Sequence, residues 1–127
     1  MHRLSVTKTN IEDNEEIGKG SIIHSGAFIN QNSKLGDFCL IGTNSIIEHC
    51  NILENFVNIG CGAVVSGDVV LRTLVQVSLN ASIVNGVHIN KNNLIGAGAV
   101  VHKNIINTNG VYVGCPAKYL KENENEF

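Results

Sequence analysis

Residues 41–59 read IGTNSIIEHCNILENFVNI, and Ile41, Ile47, Leu53 and Ile59 stand six residues apart. Stepping outward by six keeps the phase through Ile11, Ile17, Ile23, Ile29 and Leu35 on one side, and through Val65, Leu71, Val77, Ile83, Ile89, Ile95 and Val101 on the other. All 16 positions are Ile, Leu or Val, so the period belongs to the whole chain and not to one segment. Two residues before each aliphatic the side chain is usually small, as at Ser21, Ala27, Ser33, Cys39, Ser45, Ala63, Ala81 and Ala99. Three residues after it comes Gly, Asn or Asp at most repeats, among them Gly20, Gly26, Asn32, Asn44, Gly62, Asp68, Asn80 and Gly98. Those types tolerate the left-handed backbone that a tight corner requires. Phe38, Cys50, Phe56 and Leu74 are the exceptions at that corner slot.

Each unit therefore reads as a strand of about four residues followed by a corner of about two, with the small residue and the aliphatic pointing inward together. Three units close a triangular coil, and successive coils stack at the strand spacing of roughly 4.8 Å. The expected fold is all-β, a parallel β-helix of about five coils over residues 11–106. Residues 1–10 are expected to form a loose lead-in. Residues 107–127 form a C-terminal segment in which NTNGVYVGCPAKYL leaves the register, and KENENEF is a charged tail expected to fray.

Composition agrees and excludes several functions. The 127 residues make one domain; 43% are hydrophobic, but only 5% are aromatic and none is Trp, so the core must be aliphatic. A formal charge of −2 leaves no cationic footprint for nucleic acid. No apolar run approaches the roughly 18 residues of a membrane span, so no membrane partner is expected. The opening MHRLSVTKTN lacks the apolar core of a secretion signal. Cys39, Cys50, Cys61 and Cys115 show no Cys-x-x-Cys spacing and read as reduced thiols, which places the chain in the cytoplasm.

The residue just before each inward aliphatic points out of the prism. In one column these residues are Phe28, Ile46, Val64, Ser82 and Val100; a second offers Ile22, Leu40 and Leu94, diluted by Asn58 and Gln76. An apolar wall several coils tall marks an association surface, so the chain is expected to be oligomeric. In the same register Glu48 ends its strand facing outward, and His49 opens the next corner at the edge of that wall. One coil on, the corner carries Gly67, and the next two carry Asn85 and Lys103. A ligand beside His49 would meet a residue without a side chain and could approach its backbone N–H.

The motifs AVVSGDVVL, IGAGAVV and GVYVGCPAKYL resemble the hexapeptide-repeat acyltransferases. SIIEHCNI followed by FVNIGCGAVVSG is similar to the catalytic half of the sialic-acid O-acetyltransferase and UDP-4-amino-sugar N-acetyltransferase group, over roughly residues 20–120. The resemblance implies a left-handed coil, a homotrimer, acetyl-CoA as co-substrate and a sugar amine or hydroxyl as small-molecule acceptor, in polysaccharide biosynthesis. It implies catalytic roles for His49 as general base and Glu48 as the carboxylate that orients it. It also implies that the Gly67 N–H meets the thioester carbonyl. Asn58 stands where the family has a second His that meets acetyl-CoA. Asn85, His88, Ala97, Lys103 and Lys118 complete the expected cofactor groove, with Lys118 in the GCPAK turn near the adenosine end. A positioned base contributes on the order of 10²–10⁴ in rate, and a fixed N–H stabilises the oxyanion of the tetrahedral intermediate.

The chain departs from the family at Gly42 in place of Asn, Cys50 in place of Asp and Asn58 in place of His. The chain is also expected to begin almost at the first coil and to lack the βαβ half that binds the nucleotide sugar in many relatives. No metal is expected, because His24, His88 and His102 fall in different columns and cannot converge as zinc ligands must. The competing reading is a non-catalytic β-helix, a trimerisation or scaffold module in which Glu48 and His49 only face solvent.

Overall fold

A computed structural model describes residues 3–5, 10–11 and 16–124. Most of the expected lead-in and the last three residues of the tail lie outside them. The strands fall into three parallel ladders, one for each side of a triangular prism. The first face stacks Ser21–Ile23, Leu40–Ile41, Asn58–Ile59, Gln76–Val77 and Leu94–Ile95. The second stacks Asn10–Ile11, Phe28–Ile29, Ile46–Ile47, Val64–Val65, Ser82–Ile83 and Val100–Val101. The third stacks Glu16–Ile17, Lys34–Leu35, Ile52–Leu53, Val70–Leu71 and His88–Ile89. Partners such as Ile47↔Val65 and Val65↔Ile83 stand 18 residues apart in the chain, as the period of six requires. Arg3–Ser5 pairs with Ser21–Ile23 in the same parallel sense.

The six-residue aliphatics from Ile17 to Val101 are at most 4% exposed, and they form a single core running the length of the prism. The slot two residues earlier is buried as well, and it holds two side chains more polar than the rest, Asn51 and Asn93. Each is satisfied. Asn93 donates to the carbonyls of Asn90 and Asn107 and accepts from the Gly110 N–H. Burying an amide is tolerable only on such terms.

Left-handed backbone recurs at the corners, including the four exceptions: Phe38 (φ 57°), Cys50 (61°), Phe56 (60°) and Leu74 (67°). The left-handed region costs a side-chain-bearing residue roughly 1–2 kcal/mol. The ladders on either side nonetheless impose it, so tertiary pairing overrides local preference here. Phe38 and Phe56 offset part of the cost by stacking at 5.5 Å between centroids.

The repeat ends by tightening. Ile89 bridges to Ile105, and Leu94 pairs with Val111, steps shorter than the full coil. The strand Gly110–Val113 then extends the first face, and Lys118–Glu122 folds back on it antiparallel. The Cys115–Pro116 bond between them is cis. The expected fraying does not begin at Lys121. Lys121 and Glu122 lie in that last strand, and the buried Asn123 donates its N–H to the Asn109 carbonyl (2.7 Å) and its amide to the Asn92 carbonyl (3.0 Å). No helix among the described residues is long and apolar enough to cross a membrane.

Candidate active site

The corner that follows the strand Ile46–Ile47 is braced from both neighbouring coils. The Glu48 N–H donates to the Val65 carbonyl (2.9 Å), and its own carbonyl accepts from Ser33 Oγ (2.7 Å) and Asn51 Nδ2 (2.9 Å). Cys50 N–H donates back to the Gln31 carbonyl (3.2 Å), while the His49 carbonyl accepts from the Asp68 N–H (3.1 Å). Asn51 Oδ1 takes the Val69 N–H (2.8 Å). Ser33 and Asn51 are wholly buried, so the corner rests on a satisfied polar pedestal inside an aliphatic core. This accounts for Asn51 in a slot that at most other repeats holds Ala, Ser or Val.

His49 is exposed, and its imidazole lies against Gly67 one coil on. A Cβ built at residue 67 would stand 2.7 Å from Cε1 and 3.0 Å from Nε2 of His49. The missing side chain at Gly67 is the space the imidazole occupies. The first residue of each corner also has a backbone N–H outside the ladders. Side chains take it at Lys19 (Asp37 Oδ1, 3.1 Å), Asp37 (Asn55 Oδ1, 2.8 Å) and Thr73 (Glu54 Oε1, 3.0 Å). For the Gly67 N–H, as for those of Thr43, Cys61 and Leu79, no acceptor is found among the described residues.

The half-buried Glu48 carboxylate accepts from Asn30 Nδ2 at 3.0 Å, from the coil before. Among the described residues it forms no ion pair with His49; the pair present is Arg72 with Glu54 on the third face, at 2.9 Å. The carboxylate that comes near the imidazole is another one. Ligating atoms of His49, Cys50 and Asp68 all lie within 4.8 Å of one another. From the sequence Asp68 stood out only as a corner residue, one coil beyond Cys50 in the same slot.

The remaining expected residues separate into groups. Asn85 continues the corner column above Gly67, since Gly86 N–H pairs with the Gly67 carbonyl as Asp68 does with His49, and Lys103 follows Val100–Val101, the strand stacked on Ser82–Ile83. At the end of that column Lys103, His102, Lys118 and Tyr119 line one cavity of about 270 Å³, so two residues of the expected cofactor groove lie together. The turn carrying Lys118 is held to the second face by Val100 N–H to the Gly114 carbonyl (3.0 Å) and Ala117 N–H to the Val100 carbonyl (2.8 Å). His88 is exposed on the third face. Asn58 lies on the first face, beside an apolar cavity of about 580 Å³ lined by Phe38, Phe56 and Leu74. Ala97 sits at the corner between the first and second faces. Within one chain, Asn58 and Ala97 are thus apart from His49. Gly42 is buried, and a Cβ there would stand 2.7 Å from the Cys61 nitrogen, so no larger residue fits without moving the next coil.

No protein-family model matches the chain, and no curated protein matches it in sequence. Solved structures do. A mutant perosamine N-acetyltransferase from Caulobacter crescentus, in complex with CoA and GDP-perosamine, superposes with a TM-score of 0.92 at 22% identity, over 96% of this chain and 58% of that one. The acetyltransferase domain of PglB from Neisseria gonorrhoeae, also solved with acetyl coenzyme A, matches at 0.90 with 26% identity, over 93% of this chain and 57% of that one. WeeI from Acinetobacter baumannii matches at 0.71 with 27% identity, over 91% and 57%. The chain therefore has the left-handed β-helix fold that its resemblance to the hexapeptide-repeat acetyltransferases implied. It spans a little over half the length of these three structures.

Proposed function

We propose that this chain is the catalytic β-helix of an acetyl-CoA-dependent acetyltransferase that acylates a sugar amine, with direct transfer and His49 as general base. The observation that carries the reading is the exposed imidazole seated against Gly67, whose N–H has no acceptor among the described residues. The similarity to the acetyltransferase domain of PglB, solved with acetyl coenzyme A, supports the co-substrate.

In this reading the acceptor nitrogen bonds to the thioester carbonyl carbon while its proton passes to a ring nitrogen of His49. The carbonyl electrons move onto oxygen, which the Gly67 N–H holds. Collapse of the tetrahedral intermediate expels the CoA thiolate, and the imidazolium returns the proton to it. No covalent enzyme intermediate is needed. Glu48, anchored by Asn30, steers the acceptor's approach and sets the local charge without gripping the ring.

The co-substrate runs along the corner column, past Asn85, to phosphates held by Lys103 and Lys118, with His88 flanking it on the third face. Asn58 and Ala97 meet this groove only across a subunit boundary. A homotrimer joined through the column of Phe28, Ile46, Val64 and Val100 provides one. The acceptor is a nucleotide-linked amino sugar of cytoplasmic glycan or polysaccharide biosynthesis, the class of the GDP-perosamine in the Caulobacter complex.

Thermal unfolding against increasing CoA and acetyl-CoA tests the groove. A ligand at about 100 times its dissociation constant adds roughly 2.7 kcal/mol, so a saturable rise in Tm is expected. CoA release with nucleotide amino sugars then tests transfer. No shift at millimolar ligand, in protein shown to be oligomeric, would leave the scaffold module as the better account.

A further inference from the structure

We propose that His49, Cys50 and Asp68 form a binding site for a thiophilic divalent cation, Zn²⁺ above all, and that an ion held there takes His49 out of proton transfer. The binding half stands on geometry alone; the inhibitory half rests on the acetyl-transfer reading.

The three side chains offer an imidazole nitrogen, a thiolate sulfur and a carboxylate oxygen, the donor types that zinc takes. Zinc–ligand bonds of about 2.0–2.3 Å in a tetrahedron put donors roughly 3.3–3.7 Å apart. Here they already lie within 4.8 Å of one another. All three residues are exposed, so rotation of their side chains closes the difference without moving the backbone. The exposure also leaves a fourth coordination position open to water.

The backbone holds the arrangement ready. Cys50 and Asp68 occupy the same corner slot in successive coils, with nearly equal left-handed φ of 61° and 59°. Their Cα–Cβ bonds therefore run side by side, about one strand spacing apart. His49 precedes Cys50, and its ring leans against Gly67, the residue before Asp68. The bond from Asp68 N–H to the His49 carbonyl ties the two levels together. A hard cation is poorly served, since Mg²⁺ and Ca²⁺ want several oxygens and this site has one carboxylate. Thiolate with imidazole selects zinc-like ions.

The test begins with Co²⁺ added to chelator-treated protein, because its spectrum reports both thiolate ligation and four-coordination. A thiolate-to-cobalt absorption with intense visible bands is expected, and Zn²⁺ should displace it. Cys50→Ser should abolish the absorption. Asp68→Asn and His49→Ala should weaken binding about tenfold or more, whereas Cys61→Ser and Cys115→Ser should leave it unchanged. Cys50→Asn removes the thiol with a residue suited to the left-handed corner, which guards against a folding artefact. No thiolate band, or one that survives both Cys50 variants, overturns the site. Zn²⁺ should then stop acetyl transfer by the wild-type protein but not by Cys50→Ser. Transfer that proceeds equally under saturating Zn²⁺ overturns the inhibitory half. A complete cobalt site in protein that acetylates no amino sugar even after chelation would instead sink the acetyltransferase reading and leave the metal site standing.

Discussion

Two corners of the prism share one backbone and differ in almost everything else. At the corner between the third and first faces, Phe38, Phe56 and Leu74 pile up as an apolar stack, with φ between 57° and 67°. At the corner between the second and third faces, Cys50 and Asp68 adopt the same conformation, with His49 and Gly67 before them. The hydrogen bonds match too: Phe56 N–H to the Asp37 carbonyl (3.0 Å) mirrors Asp68 N–H to the His49 carbonyl (3.1 Å). The ladders dictate the corner and are indifferent to its side chains. Chemistry can therefore occupy one column without changing the fold, and it does so where an imidazole, a thiol and a carboxylate come together.

The sharpest way to separate the columns is to empty them. His49→Ala should lower acetyl transfer by about 10²–10⁴ while leaving the melting temperature of this exposed corner unchanged. Phe56→Ala should leave transfer intact. Equal losses in both would mean that the corners act through overall stability, and the assignment of His49 would fail.

Gly67→Ala comes next. Its new Cβ would press on the imidazole at 2.7 Å, and displacing a catalytic group by about 1 Å costs on the order of 10²-fold. The loss should appear in kcat, measured by CoA release, with little change in unfolding. Asn51→Ala probes the pedestal beneath the site. It removes the acceptor of the buried Val69 N–H and one donor to the Glu48 carbonyl, so unfolding by urea should show a loss of about 1–3 kcal/mol. An unchanged midpoint would mean that the pedestal is dispensable.

In the apolar column the effects nearly cancel. Phe56→Gly loses a ring stack worth about 0.5–1.5 kcal/mol and relieves a left-handed side chain worth about 1–2 kcal/mol. Stability should stay within about 1 kcal/mol of wild type by the same measurement. Last, the exposed thiols of Cys50, Cys61 and Cys115 should react with an alkylating reagent while buried Cys39 reacts only on unfolding. Burial raises Cys39 above its ordinary value of 9.0, with its contact to the Asp37 charge acting in the same direction. The unfolded thiol then ionises first, so its contribution to stability is present below that pH and declines above it. Intact-mass analysis and a Tm series above pH 9 check both statements.

The period of six revealed the fold because each inward slot repeats the same burial, and burial leaves its mark residue by residue. The corners were legible where Gly or Asn stood in them. At Phe38 and Leu74 the structure had to supply the conformation. His49 and Gly67 could be brought together on paper, since 18 residues make one coil. The partner of Glu48 could not. Its bond to Asn30 depends on which way an outward side chain turns, and outward positions carry no periodic constraint.

By itself, then, the sequence determined the parallel β-helix, its coil length, its aliphatic core and the column in which His49 lies beside Gly67. Only the tertiary structure decided that Glu48 is tied to Asn30 and that Asp68 joins Cys50 at the imidazole. Only it showed that the C-terminal strand shortens its register to close the end. A repeat encodes contacts set by burial and backbone pairing. Contacts between exposed side chains depend on rotamers, and those exist only once the coils are stacked.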